Sequence, residues 1–179
     1  MPIQLTPPKG LITVRPAQEA DATSLRKLRL EALADSPEMF AADHDLTAAE
    51  SDAHWAERIA EGLRSQNSVI CIAEAAERLI GMTGLGRGHW PITQHSAVIW
   101  GVYVAPEFRG LHIAEALIEE CIAWGRERGV SIVKLGVITN NAPAIRCYLR
   151  CGFKVYGVDP WSNYYNGRYF DELLMAKAI

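Results

Sequence analysis

A helix start that directly follows a strand is the first feature of this chain that could do chemistry. Strand-like residues end at Val104, and a short turn leads into an amphipathic helix that begins near Ile113. The first amides of a helix have no partner within it and carry partial positive charge, so they bind phosphate without a metal ion. The stretch therefore predicts a phosphate site on the backbone of residues 109–114, with Arg109 adding charge. Taken alone, it also fits an ordinary turn with a solvated arginine.

A second polar pattern lies downstream, around a short helix. Asn141 precedes this helix, Tyr148 lies on it, and Gly152 and Phe153 follow it. A tyrosine with a pKa of about 10 keeps its proton at neutral pH and can donate it to a thiolate, whose conjugate acid has a pKa of about 8.5. Taken alone, Tyr148 also fits a core aromatic residue with a satisfied hydroxyl.

Together the two stretches resemble the GNAT superfamily of acyl-CoA-dependent N-acetyltransferases. The family's first motif, Arg/Gln-x-x-Gly-x-Gly/Ala, corresponds to residues 109–114. Its second motif, Asn-x-x-Ala-x-x-x-Tyr followed by Gly-Phe, corresponds to Asn141, Ala144, Tyr148 and residues 152–153. The order and the spacing of both motifs agree with the family.

One position departs from this pattern, since His112 replaces the central glycine of the first motif. A β-carbon at this position could crowd a pyrophosphate, or the imidazole could contact a phosphate. We interpret His112 as tolerated variation.

The resemblance implies acetyl-CoA as cosubstrate, and it implies no metal ion. The pyrophosphate would lie on the helix start and the pantetheine arm beside β-strand residues 102–104. The Val104 amide would then stabilise the oxyanion, Tyr148 would protonate the thiolate, and Asn141 would hold the cofactor arm or a water. The implied cofactor site comprises Val102, Tyr103, Val104, Arg109, Gly110, Leu111, His112, Ile113, Ala114, Asn141, Ala144 and Tyr148.

The group that deprotonates the amine is harder to find in the sequence. An alkyl amine with a pKa of about 10.4 is protonated at pH 7, so it needs a base or a pocket that lowers its pKa. Many relatives place a glutamate on the fourth strand, whereas residues 97–101 contain no acid here. A water chain to bulk solvent is equally open, and the side-chain candidates, unranked, are Glu31, His54, His89 and Glu172.

The resemblance also implies an acceptor pocket, because loops near this end of the sheet supply the substrate side in relatives. Glu31, Trp90 and Tyr165 are the expected lining residues, although the two aromatic residues could equally pack in the core or at a dimer contact. Carboxylates between residues 38 and 52 could attract a cationic amine or simply be solvated.

The whole-chain properties exclude several classes of protein. The chain has 179 residues and a formal net charge of −3, which gives no basic surface for nucleic acid. No leader-like start or apolar span is present, so we expect a cytoplasmic protein with no membrane partner. The four cysteines lack metal-binding spacing and are expected to be reduced.

The element pattern predicts an α/β protein of the α+β type. We expect one N-acetyltransferase-like domain over residues 1–179, with its core at roughly 11–176 and a mixed, mostly antiparallel sheet of about six to seven strands flanked by about four helices. The last hairpin, around Asn166-Gly167, favours a homodimer over a monomer through its aromatic residues. The predicted strands cover 11–15, 69–73, 79–84, 97–104 and 133–137, with 69–73 and 79–84 as a hairpin, and the last hairpin joins 164–165 to 168–175. The helices start at 21, 47, 113 and 142. A capping box at 47–50 begins the second helix, which Gly62 ends, and the last helix covers 142–150, with Gly152 after it.

The leading hypothesis is an N-acetyltransferase that acts on a primary amine of a small molecule or a peptide. The alternative is a catalytically silent module that binds or senses acyl-CoA. Asn141 and Tyr148 favour the enzyme, because a sensor needs the phosphate site but no proton donor for a thiolate.

Overall fold

One mixed sheet with helices on both faces forms the protein. The computed structural model describes residues 2–6 and 10–179. Its strands are β1 (Ile3–Leu5), β2 (Ile12–Pro16), β3 (Ser68–Ala75), β4 (Arg78–Arg87), β5 (Ser96–Val104), β6 (Ile132–Ile138), β7 (Lys154–Tyr165) and β8 (Arg168–Ala178). Its α-helices are α1 (Ala22–Asp35), α2 (His44–Ala49), α3 (Asp52–Ser65), α4 (Ile113–Arg126) and α5 (Ala142–Arg150).

The strands lie in the order β1-β2-β3-β4-β5-β6-β8-β7. Within the described ranges, β5 and β6 form the one parallel pair, and every other neighbouring pair is antiparallel. Helix α4 connects β5 to β6, as a parallel pair requires.

Two hydrophobic layers cover the sheet. Helix α4 buries Leu117, Ile118 and Ile122 against one face, and α1 with α3 buries Leu25 and Trp55 against the other. Each such side chain contributes roughly 1.5–3 kcal/mol by leaving water. Because both faces are covered, the central strands have near-continuous apolar runs.

A bulge and a separation of strands shape the centre of the sheet. Gly84 pairs with Trp100 and Met82 with Tyr103, so two residues of β5, at 101 and 102, oppose one residue of β4. Gly101 has a φ of 66°, which a glycine adopts without strain. Strands β5 and β6 pair only from 96 to 98 and from 132 to 134. Beyond these residues the two strands separate and open a cleft.

The structure confirms the predicted fold class and most element positions. Helix α5 has the predicted bounds, and Gly152 follows it with a φ of 87°. The hairpin of β3 and β4 and the turn at 166–167 are also present.

Three predictions of local structure were wrong. The described residues contain eight strands and five α-helices, more than expected, and β1 was missed because three residues carry too little pattern. The predicted capping box at residues 47–50 does not start a helix. Instead, the Asp43 carboxylate accepts from the Leu46 amide to begin α2, and the Ser51 hydroxyl accepts from the His54 amide to begin α3. Gly62 lies inside α3 rather than at its end.

Candidate active site

The cleft between β5 and β6 is the candidate site, because both sequence motifs line it. Its volume is about 600 Å³, within the range of small-molecule pockets. Its walls come from β5, β6, the start of α4 and one face of α5. The parting of the two strands therefore brings both sequence motifs to one cavity.

The start of α4 supplies unpaired backbone donors to this cleft. The Ala116 amide is the first that donates back to this turn, to the His112 carbonyl at 3.2 Å. Over residues 110–114, no backbone acceptor is found for an amide in the described structure. Gly110, Ile113 and Ala114 line the cavity, so the donors face a space that can hold an anion.

His112 occupies a backbone conformation that favours glycine. Its φ of 58° is in the left-handed region, which explains why a glycine would suit this position. Its side chain is 70% exposed, and Nδ1 lies 3.0 Å from Oε1 of Glu115. The imidazole is thus paired with Glu115 at the cleft edge.

Arg109 is held by three contacts at the end of β5. Its Nη2 lies 2.5 Å from Oδ2 of Asp35, and its Nε donates to the Val104 carbonyl at 3.0 Å. Its guanidinium also lies 5.7 Å from the ring centre of Tyr103. Asp35 therefore offsets part of the positive charge of Arg109, which the sequence analysis predicted to contribute to phosphate binding.

Two further arginines at the cleft were missed by the sequence analysis. Arg146 and Arg150 lie four residues apart on α5, and both line the cavity. Arg150 pairs with Glu115 at 2.6 Å, whereas Arg146 has no ion-pair partner among the described residues. The i, i+4 spacing next to Tyr148 was the available signal.

The backbone of β5 turns the Val104 amide toward the cleft. The next amide, of Ala105, donates to the Ile80 carbonyl of β4 at 2.8 Å. Because successive amides of a strand point to opposite sides, the Val104 amide points away from β4. An oxyanion donor for a thioester between β5 and β6 would need this direction.

Tyr148 is held in place by the end of α5. The Phe153 amide donates to the Tyr148 carbonyl and the Gly152 amide to the Leu149 carbonyl, both at 3.0 Å, which is a Schellman motif. Phe153 packs edge-on against Tyr148, with ring centres 6.3 Å apart. The Gly-Phe pair of the second motif thus orients the tyrosine.

The hydroxyl of Tyr148 belongs to the cleft. The side chain is 7% exposed and lines the cavity, and no hydrogen bond joins its hydroxyl to a described residue. Burial raises the pKa of Tyr148, so it stays protonated. Asn141 caps α5 by accepting from the Ala144 amide at 3.2 Å, and it too lines the cavity.

Glu172 is the one of the four candidate bases that lines the cleft. Its carboxyl group lies over Gly136 of β6, where a β-carbon would collide with it. Burial, and then the charge of its cross-strand neighbour Asp159, raise the pKa of Glu172 above its usual value of 4.5.

The other candidate bases lie elsewhere. Glu31 is 3.7 Å from Arg78, and His54 on α3 is 3.7 Å from Glu50. His89 packs edge-on against Trp90 in the connection before β5. None of the three lines the cleft.

The fold places the residues predicted to line the acceptor pocket in different regions. Trp90 is 67% exposed and precedes β5, at the end where this strand still pairs with β6, so it lies away from the open cleft. Tyr165 lines a second groove, of about 450 Å³, beside the connection between α1 and α2. Phe40 lines both the groove and the cleft and so joins them.

In residues 2–6 and 10–179, no group of three or more His, Cys, Asp or Glu side chains could hold a metal ion. All four cysteines are free thiols. None of the helices described has the length and apolar character needed to cross a bilayer.

Comparisons with known proteins agree with this geometry. A model of the acetyltransferase (GNAT) family matches residues 29–153. The L-amino acid N-acetyltransferase AaaT of Escherichia coli is 28% identical over 171 residues, which cover 93% of this chain and 98% of that protein. The mycothiol acetyltransferase of Brachybacterium faecium is 29% identical, over 87% of this chain but only 51% of that protein.

A solved structure shows the same fold. The acetyltransferase yncA of Salmonella typhimurium, determined with its cofactor acetyl-CoA, matches with a TM-score of 0.81 and 18% identity over 93% of each chain. The family model spans well over half of the chain. The chain therefore belongs to the GNAT family of acetyltransferases.

Proposed function

We propose that this protein transfers an acetyl group from acetyl-CoA to a primary amine by direct attack. The observation that carries the proposal is the convergence of unpaired α4 amides, the Val104 amide and the Tyr148 hydroxyl on one cleft. The proposal treats the whole chain as one N-acetyltransferase domain. Its location in the cytoplasm and its assembly as a homodimer stay predictions.

The backbone performs the first tasks of the reaction. Acetyl-CoA supplies a thioester, whose carbonyl carbon the amine attacks. The amides at 110–114 bind the pyrophosphate, and Arg146 adds charge. The free edge of β5 holds the pantetheine arm, and the Val104 amide donates to the carbonyl oxygen as negative charge develops there. One such donor contributes roughly 3–4 kcal/mol to a reaction of this kind.

Two side chains move the protons. A C–N bond forms and the C–S bond breaks, so the amine must lose a proton and the sulfur must gain one. Tyr148 donates its hydroxyl proton to the departing sulfur. Glu172 accepts the proton of the amine, because it is the candidate base that lines the cleft. Its raised pKa makes it a better proton acceptor than an ordinary carboxylate.

The silent acyl-CoA-binding module is the second candidate. It would use the α4 amides and leave Tyr148 and Glu172 without a role. The names of the two relatives mention different molecules, an L-amino acid and mycothiol, so these names leave the acceptor open. Both names describe acetyltransferases, which favours the enzyme.

The test is a calorimetric titration with acetyl-CoA followed by a thiol-release assay on a mixed panel of primary amines. We expect binding, and thiol release that depends on an amine. Binding without release on any amine would favour the silent module, and an absence of binding would contradict the cofactor site.

A further inference from the structure

A half-buried arginine with one unpartnered nitrogen lies behind the cleft. Arg29 of α1 has an Nη1 atom that is buried and has no hydrogen-bond partner in the described structure. A buried donor without an acceptor is unfavourable until an acceptor approaches it. The position of this nitrogen therefore indicates where an acceptor group of a ligand would be stabilised.

This nitrogen lies against the bulge of β5. A β-carbon built on Gly101 would be 3.3 Å from Nη1 of Arg29. The guanidinium also lies 4.9 Å from the ring centre of Phe40. Gly101 and Phe40 both line the cleft, so Arg29 is one layer behind its wall, on the side where Phe40 joins the second groove.

The surroundings of Arg29 are positive. Arg58 of α3 lies 5.0 Å from the ring centre of Trp100, the residue before Gly101. Burial, and then the charge of Arg58, lower the pKa of Arg29, while Glu50 is the acid that opposes them. Behind this wall of the cleft, two cations are therefore opposed by one carboxylate, a balance that favours an anionic ligand.

The opposite wall carries the reverse charge. Glu172 lies over Gly136 on β6, across the opening from β5. A ligand with an ammonium group and a carboxylate would meet a complementary charge on each side. The carbonyl-binding amide of Val104 is three residues beyond Gly101, at most about 10 Å along the strand. A small amino acid that attacks the thioester carbonyl bound to the Val104 amide can therefore place its carboxylate near Gly101.

We propose that Arg29, assisted by Arg58, binds the carboxylate of the acceptor, which makes the acceptor an amino carboxylate such as a free amino acid or a close analogue. This inference rests on the proposed function, because it assigns the second substrate of the same reaction. The competing account gives Arg29 a structural role, in which its stacking on Phe40 alone retains it.

The test compares each of the twenty amino acids with its amide in the thiol-release assay. The amide keeps the side chain and the amine, whose pKa near 8 makes it the easier nucleophile, so a site without a carboxylate-binding group would favour the amide. We expect the wild type to prefer the amino acid by about 10- to 100-fold in kcat/KM, the range of a charge-assisted hydrogen bond.

The variants separate binding from structure. Arg29→Gln is expected to raise KM for the amino acid by about 10- to 100-fold with kcat nearly unchanged and with no effect on the amide. Arg29→Lys should recover part of the loss, since it restores the charge. Lys27→Gln is the matched control, because it removes a charge from an exposed position of the same helix.

The outcomes decide between the accounts. Equal use of amino acids and amides by the wild type overturns the carboxylate site, and this comparison needs no variant to fold. A preference that persists in Arg29→Gln also overturns it. Absence of thiol release with every amine, despite acetyl-CoA binding, contradicts the proposed function itself, and the carboxylate site falls with it.

Discussion

Replacing Tyr148 with phenylalanine removes one hydroxyl and leaves the surrounding structure in place. The ring keeps its packing against Phe153, and the Schellman motif at the end of α5 uses only backbone atoms. The hydroxyl makes no hydrogen bond to a described residue, so we expect the free energy of unfolding to change by less than about 1 kcal/mol. The acetyl-CoA dissociation constant should stay within about twofold.

The effect on turnover should be much larger. Without Tyr148 the sulfur must leave as a thiolate or take a proton from water. General acids contribute about 10²–10⁴-fold, so kcat should fall by at least about 100-fold, or roughly 2.7 kcal/mol of barrier. Because burial raises the pKa of Tyr148, the wild type should not lose activity through deprotonation of this residue below pH 10.

The assay pairs thiol release with calorimetry on the same preparation. Single-turnover rates show whether the chemical step or product release limits kcat. Unchanged turnover in Tyr148→Phe, with normal acetyl-CoA binding, would remove the tyrosine from the chemistry. A loss of binding equal to the loss of turnover would instead indicate a role in holding the cofactor.

Three further substitutions test the site. Glu172→Gln should lower kcat/KM at pH 7 by about 100-fold and abolish the rise of the wild-type rate with pH, because a base works only when it is ionised. Burial and the charge of Asp159 raise the pKa of Glu172 above 4.5, and pH–rate profiles of the wild type and the variant measure both effects. His112→Gly should leave acetyl-CoA affinity equal or tighter by calorimetry, because it removes a β-carbon beside the α4 amides; a large loss would show that the imidazole binds phosphate. Trp90→Ala should leave KM for the acceptor unchanged, because Trp90 lies at the closed end of β5; a raised KM would restore it to the acceptor site.

The parts of the site that could be predicted from the sequence are local ones. The turn from β5 into α4 and the capped helix α5 depend on residues within a few positions of one another. Asn141 and Gly152 mark the two ends of α5 by their side chain and backbone preferences. The predicted cofactor side of the cleft depends on these short-range rules.

The acceptor side depends on contacts between distant segments. Arg29 and Gly101 meet only because α1 packs beside the bulge of β5, and Glu172 reaches the cleft only because β8 pairs with β6. The bulge itself depends on the pairing of β4 with β5, which residue composition does not reveal. The position of Trp90 relative to the cleft likewise depends on which end of β5 is paired.

The most direct test of the account is to quantify both products of one reaction by mass spectrometry. The enzyme, acetyl-CoA and the best acceptor of the panel are incubated, and free CoA and the N-acetylated acceptor are measured together. The account predicts equal amounts of the two products, formed only with the enzyme and reduced by at least about 100-fold in Tyr148→Phe. Free CoA without acetylated acceptor, or no turnover with tightly bound acetyl-CoA, would contradict it.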